Sequence, residues 1–318
     1  MKMNAPAAAV ASKRDLVTGT EWSPVQLREL FQLTAEVKAR PERFRKALEG
    51  RFLAMIFEKP SLRTRVTFEV GIQSLGGSAV FLDHKGTRLG ERESIKDVAK
   101  NLERWVHGIV ARTFEQRAVE ELAAHAAVPV INALSDRFHP CQALADFFTL
   151  EEHFGARALG RGLKLAYVGD GNNVCHSLVV AGARVGAEVR VATPVGFEPD
   201  AGIIAEARRV ARETKAKIEL FHGPEDAVAG ADAVYTDVWA SMGQEHEAAG
   251  REEIFAPYQV NERLMKLAAR DAVFLHCLPA HRGSEVTDAV IDSRQSIVFE
   301  EAENRLHIQK AILLQLMG

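Results

Sequence analysis

Ser61, Arg63, Thr64 and Arg65 stand within one stretch, EKPSLRTRVTFEVG, that follows the apolar run RFLAMIF. Hydroxyls and guanidiniums packed this closely suit an anion held at a helix start, where backbone amides point outward without partners. Pro60 favours a turn, Ser61 is a natural cap, and Leu62, Arg63 and Thr64 then form the first helical turn. Arg63 and Arg65 would lie about 200° apart around the axis, so one binds and the other ties the fold. The segment also fits a solvated basic helix start, and Val66, Phe68, Val70 and Ile72 alternate as they would in a strand.

Other chemistry-bearing residues fall in later loops. Arg112 ends the apolar run GIVA, either as a surface arginine or as a ligand at a strand end. In SDRFHPCQALADFF, His139 and Gln142 flank a helix start and suit a neutral carbonyl or amide; a helix cap with a satisfied histidine is the alternative. LKLAYVGDGNNVCHS carries Gly169 and Gly171 after a strand, but Val174 occupies the third glycine position, so a nicotinamide fingerprint is incomplete. Asn172 and Asn173 offer amides to a carboxylate or carbonyl there. Asp237, Ser241 and Met242 lie in TDVWASMGQE, where the aspartate and serine suit an ammonium group or cap a short helix. In FLHCLPAHRG, His276 and Cys277 are strand neighbours and point to opposite faces, which argues against a thiol–imidazole pair. No His/Cys spacing fits zinc, so no metal is expected.

Parallel strands with crossover helices would bring such loops together, because ligands in open α/β sheets sit beyond the strands' carboxyl ends. The pattern predicts this class. Ser23 caps a helix running to about Ala39, with a proline and a capping-box glutamine following it. Apolar runs at Phe52–Phe57, Ala79–Leu82, Gly108–Ala111 and Val128–Ile131 give a first sheet. LKLAYVG, EVRVAT, KIELF, DAVYTD, AVFLHCLP and SIVF give a second, and EAENRLHIQKAILLQLMG closes the chain as an amphipathic helix. The expected division is an extension over 1–22, a first domain over 23–153, a second over 154–300, and a helix over 301–318 returning to the first domain. The chain has 318 residues, 47% hydrophobic and 26% charged, which is globular composition with room for two cores. A formal charge of -3 gives no general attraction to nucleic acid or anionic lipid. No apolar stretch reaches the roughly 20 residues of a membrane span. Three widely spaced cysteines and no apolar signal core point to the cytoplasm.

The order SLRTR, an arginine closing the third strand, HPCQ, DGNN, DVWASMG and HCLPAHRG resembles the aspartate/ornithine transcarbamylase family, its ornithine branch in particular. The resemblance covers nearly the whole chain after the N-terminal extension. It implies transfer of the carbamoyl group of carbamoyl phosphate to the δ-amine of L-ornithine, giving L-citrulline and phosphate, without a cofactor. It further implies that Ser61, Leu62, Arg63 and Thr64 hold the phosphate, that Arg112 and His139 bind the carbamoyl oxygen, and that Gln142 binds the amide nitrogen. Cys277, the Leu278 backbone and Arg305 complete that pocket. Arg88, where many relatives carry glutamine or histidine, lies in a loop that reaches the phosphate, often from a neighbouring subunit of a trimer or assembly of trimers. Asn173, Asp237, Ser241 and Met242 would hold ornithine's α-groups, with Cys277 and Asp237 taking the δ-amine proton. A carbamoyltransferase for putrescine or acetylornithine, a nicotinamide-dependent oxidoreductase and a non-catalytic binding protein are the competing readings.

Overall fold

The computed structural model describes residues 14–83, 88–155, 160, 162–240 and 248–318. The first α/β unit runs α1 (Pro24–Ala39), β1 (Phe52–Phe57), α2 (Leu62–Ser74), β2 (Ser78–Asp83), α3 (Ile95–Leu102), β3 (Gly108–Arg112), α4 (Gln116–His125), β4 (Val130–Leu134) and α5 (Pro140–Phe154). The second runs β5 (Lys164–Val168), α6 (Asn173–Val185), β6 (Glu188–Ala192), α7 (Ala201–Thr214), β7 (Lys217–Phe221), α8 (Pro224–Val228) and β8 (Ala233–Thr236). It continues through α9 (Ala248–Phe255), α10 (Glu262–Met265), β9 (Val273–Leu275) and α11 (Asp288–Ile291), and α12 (Val298–Met317) closes the chain.

Every strand pair is parallel. The sheets are ordered β2-β1-β3-β4 and β7-β6-β5-β8-β9. Parallel sheets are covered by helices on both faces, which is why the central strands read as unbroken apolar runs. Leu53, Met55 and Phe57 of β1 and Val110 of β3 face one cluster, and Ala54, Ile56, Ile109 and Ala111 face another. Burying each of the larger side chains stabilises the fold by about 1.5–3 kcal/mol. The strand order reverses between β1 and β3 in one sheet and between β5 and β8 in the other, and ligands collect at such switch points.

α1 starts as expected: Ser23 Oγ accepts from the Gln26 amide while Gln26 Oε1 accepts from the Ser23 amide. Such a cap is worth about 1 kcal/mol. The closing helix α12 packs on α1, α2 and α5, so the chain's end returns to the first unit.

Three expectations need correcting. The alternation after Thr64 does not make a strand, because Ser61 caps the segment as α2. SIVF is not a strand: Ser296 makes one bridge to Phe274, and Val298 opens α12 with Phe299 exposed. Nor is the stretch before Ser23 a free tail throughout. Leu16 bridges Ile131 beside β4, its amide donates to the Val130 carbonyl, and Trp22 is buried. Among the described residues, no helix is long and apolar enough to cross a membrane.

Candidate active site

Ser61 caps α2 and accepts from the Thr64 amide at 3.3 Å. Its hydroxyl donates to Thr64 Oγ1 at 3.0 Å, and Arg305 Nη2 of α12 donates to the same oxygen at 2.8 Å. Having accepted twice, the buried Thr64 hydroxyl keeps its own proton for a ligand. Leu62 is 78% exposed, as suits a position where the backbone amide matters more than the side chain. Arg65 turns away, donating to Glu69 and stacking over Phe81, so it serves the fold as the helical geometry required.

Arg112 ends β3 at a register shift against β4, an irregularity that re-aims a side chain at a sheet rim. Its guanidinium is buried; burial, then Arg305 and Arg63, lower it to about 9. His139 precedes α5, gives its amide to Ser177 Oγ at 2.7 Å, and has a buried Nδ1 with no hydrogen-bond partner among the described residues. Burial, then Arg305 and Arg112, hold its imidazole well below the ordinary range, so it is neutral near pH 7. Gln142 Oε1 accepts from Arg305 Nη1 at 2.9 Å, while Gln142 Nε2 donates to Asp146 at 2.7 Å and Glu301 at 2.8 Å. Three arginines and a neutral histidine thus converge beside a helix start, in a pocket fit for a phosphorylated carbonyl compound.

The second unit supplies the opposite wall. Cys277 donates to Asp237 Oδ1 at 3.1 Å, and Asn172 Nδ2 donates to Asp237 Oδ2 at 2.8 Å. Burial, then Asp237, push the Cys277 thiol well above its usual range. Leu278 lies in the left-handed region at φ 55°, and its amide donates to His276 Nδ1 at 2.9 Å; the Leu278–Pro279 peptide is cis. Asp237, His276 and Cys277 bring donor atoms within 4.8 Å of one another. Both His276 nitrogens are nevertheless engaged, Nδ1 by Leu278 and Nε2 by Glu285, so the cluster lacks a free imidazole lone pair for a metal.

Not every expected residue joins this cluster. Arg88 pairs with Glu115 at 2.9 Å, lies over the Phe114 ring, and faces a cleft of about 390 Å³. Asn173 donates one amide hydrogen to the Ser135 carbonyl at 2.7 Å. Ser241 and Met242 lie outside the described residues.

Three participants, Glu58, Asp146 and Glu301, escaped sequence reasoning. Glu58 accepts from the Leu89 amide at 2.5 Å and the Phe114 amide at 2.7 Å, bracing the Arg88 segment against the β3 exit. Asn172, which the sequence offered alongside Asn173, caps α6 and is the asparagine that holds Asp237. Asp146 and Glu301 carried no local signal beyond a charge inside an apolar helix.

Residues 14–152 match the carbamoyl-P binding domain of aspartate/ornithine carbamoyltransferase, and residues 161–316 match its Asp/Orn binding domain. An ornithine carbamoyltransferase of Thermococcus kodakarensis is 56% identical over 273 residues, 86% of each chain. The anabolic ornithine carbamoyltransferase of Pyrococcus furiosus is 52% identical over 93% of this chain and 92% of its own. A solved ornithine carbamoyltransferase from Pyrococcus furiosus superposes with a TM-score of 0.92 at 49% identity, covering 98% of this chain and 99% of that one. The paired sheets, the site at their carboxyl ends and these matches together establish that the chain belongs to the aspartate/ornithine carbamoyltransferase family.

Proposed function

We propose that the chain is an ornithine carbamoyltransferase, transferring the carbamoyl group of carbamoyl phosphate to the δ-amine of L-ornithine to give L-citrulline and phosphate. One juxtaposition carries the reading: Thr64, Arg112, His139, Gln142 and Arg305 crowd one wall, with the Cys277–Asp237 hydrogen bond on the other. Carbamoyl phosphate is held on the first domain (23–153), by Ser61, the Leu62 amide, Arg63 and Thr64 at its phosphate and by Arg112, His139 and Gln142 around its carbamoyl group, where Cys277, the Leu278 backbone and Arg305 from the rest of the chain complete the pocket. L-Ornithine is held in the second (154–300), with Asn173, Asp237, Ser241 and Met242 at its α-groups, and residues 301–318 return to the first. Arg88 reaches a phosphate in a neighbouring subunit.

The amine attacks the carbonyl carbon, negative charge develops on oxygen, and phosphate leaves. Thr64, Arg112 and His139 are donors to that oxyanion, and loss of one such donor costs about 100-fold to 1,000-fold in rate. An alkyl ammonium with a pKa near 10 has to lose a proton first. Sulfur can accept that proton from the amine while the thiol proton moves to Asp237 along the bond already formed.

An exposed apolar stripe supports a homotrimer: Leu62, Val66 and Val70 recur at four-residue spacing on α2, and Val80 is exposed on the edge strand β2. The anabolic name of the Pyrococcus relative supports citrulline synthesis as the working direction, and the free, buried Cys141 and Cys175 suit a cytoplasmic enzyme.

The test is to incubate the purified protein with carbamoyl phosphate and, separately, ornithine, putrescine, acetylornithine and aspartate. Citrulline forms with ornithine, and the other amines release little phosphate. Absence of citrulline would overturn the proposal.

A further inference from the structure

Gln142 has two amide hydrogens, and both are committed: one carboxyl oxygen of Asp146 and one of Glu301 receive them. Its oxygen must therefore face the other way, toward Arg305 and the pocket. An oxygen there has a second lone pair that can accept only from a donor, which the NH2 of a carbamoyl group supplies and the methyl of an acyl phosphate does not. The two carboxyls belong to different parts of the fold, Asp146 to α5 and Glu301 to the first turn of α12. Glu301 also accepts from the His276 amide at 3.0 Å, next to Cys277, and from Tyr235 of β8 at 3.4 Å.

Both carboxyls are buried and converge on the same nitrogen, Gln142 Nε2, at 2.7 and 2.8 Å, with Arg305 nearby. Asp146 Oδ2 has no donor at all among the described residues, which a charged oxygen in that position could not sustain cheaply. Around the pair stand Gln142 on α5, Arg305 on α12, Tyr235 on β8, and the His276 amide and Cys277 after β9. Burial raises Asp146 to about 7 and, with repulsion from Asp146, raises Glu301 well above the usual carboxyl range. The proton belongs to the pair rather than to either residue.

We propose that Asp146 and Glu301 form a one-proton carboxyl pair that fixes the amide orientation of Gln142 and thereby makes the pocket selective for an N–H donor on the transferred acyl group. They are positioning residues, acting through Gln142. The inference rests on the carbamoyl phosphate reading above. As pH rises the pair loses its shared proton, a second anion appears behind Gln142, and binding of the phosphate substrate weakens.

The experiment compares the wild type with Asp146→Asn and Asp146→Ala. It measures kcat/KM for carbamoyl phosphate from about pH 6 to about pH 10, and the ratio of acetyl phosphate inhibition constant to carbamoyl phosphate KM. Asp146→Asn keeps an acceptor for Gln142, so it retains the ratio within about threefold but moves the onset of the alkaline fall upward, toward the loss of the Arg112 proton at about 9. Asp146→Ala frees the amide to flip, so the ratio collapses by about tenfold or more while ornithine KM stays within about threefold. Superimposable pH profiles for wild type and Asp146→Asn would overturn the proposal, as would an unchanged ratio in a folded Asp146→Ala. Should the alanine variant fail to fold, the near-isosteric asparagine comparison still decides. A wild type that makes no citrulline would refute the functional reading itself, whereas a wild type that makes citrulline with a flat profile refutes only the pair.

Discussion

Cys277 holds its proton toward Asp237 Oδ1, and burial followed by Asp237 keeps the thiol neutral well past its ordinary range. A thiolate attacking or abstracting on its own is therefore not what this geometry offers. Two groups in one hydrogen-bonded chain can pass a proton only together, and that predicts non-additivity. Cys277→Ala and Asp237→Asn should each lower kcat with ornithine by about 100-fold or more, and the double variant should be little worse than the poorer single one. Measured kcat values for the three variants check this, and losses that multiply would separate the two residues into independent roles. Asn172 belongs to the same scale: by holding Oδ2 at 2.8 Å it leaves Oδ1 to the thiol.

The elements place these residues through their ends. Gly171 shows how tightly: its amide donates to the Phe197 carbonyl at 2.9 Å, and a Cβ there would sit 2.3 Å from the Pro199 nitrogen and 2.5 Å from the Glu198 carbonyl carbon. Of the two glycines after β5 that in sequence began a nucleotide fingerprint, Gly171 thus serves close backbone packing ahead of the Asn172 cap, and Gly169 supplies a turn at φ +146°. Gly171→Ala should destabilise the fold by about 1–3 kcal/mol and raise ornithine KM more than carbamoyl phosphate KM, because Asn172 shifts with the loop. Urea unfolding and a two-substrate KM comparison test this; an effect on carbamoyl phosphate alone would count against it. The strands were legible because buried parallel strands are continuous apolar runs bounded by turn residues. SIVF misled for a related reason, since a short apolar run at a helix start reads identically in sequence although its Phe299 is exposed. The HPCQ, DVWASMG and HCLP loops were legible as motifs. The Gln142–Glu301 contact was not, because its partners are 159 residues apart and meet only when α12 returns to the first unit.

At the scale of the whole molecule, one chain leaves Arg88 away from the other expected phosphate ligands: it is 56% exposed at its side chain and pairs with Glu115. Glu58 nonetheless fixes the segment that carries it, and the apolar stripe of α2 begins at the phosphate loop itself. A second copy seated on that stripe would bring a foreign Arg88 to the Ser61–Thr64 helix start. In a cyclic trimer each site would then combine Arg63 from one chain with Arg88 from its neighbour. Arg63→Ala and Arg88→Ala should each depress activity alone, chiefly through carbamoyl phosphate KM. Unfolded together in equal amounts and reassembled, the two variants should regain about a quarter of wild-type activity, since one random pairing in four restores both arginines to one site. Val66→Asp combined with Val70→Asp should abolish the recovery and reduce the mass in light scattering toward a single chain. No recovery from mixed trimers of normal mass would place Arg88 outside the neighbouring site.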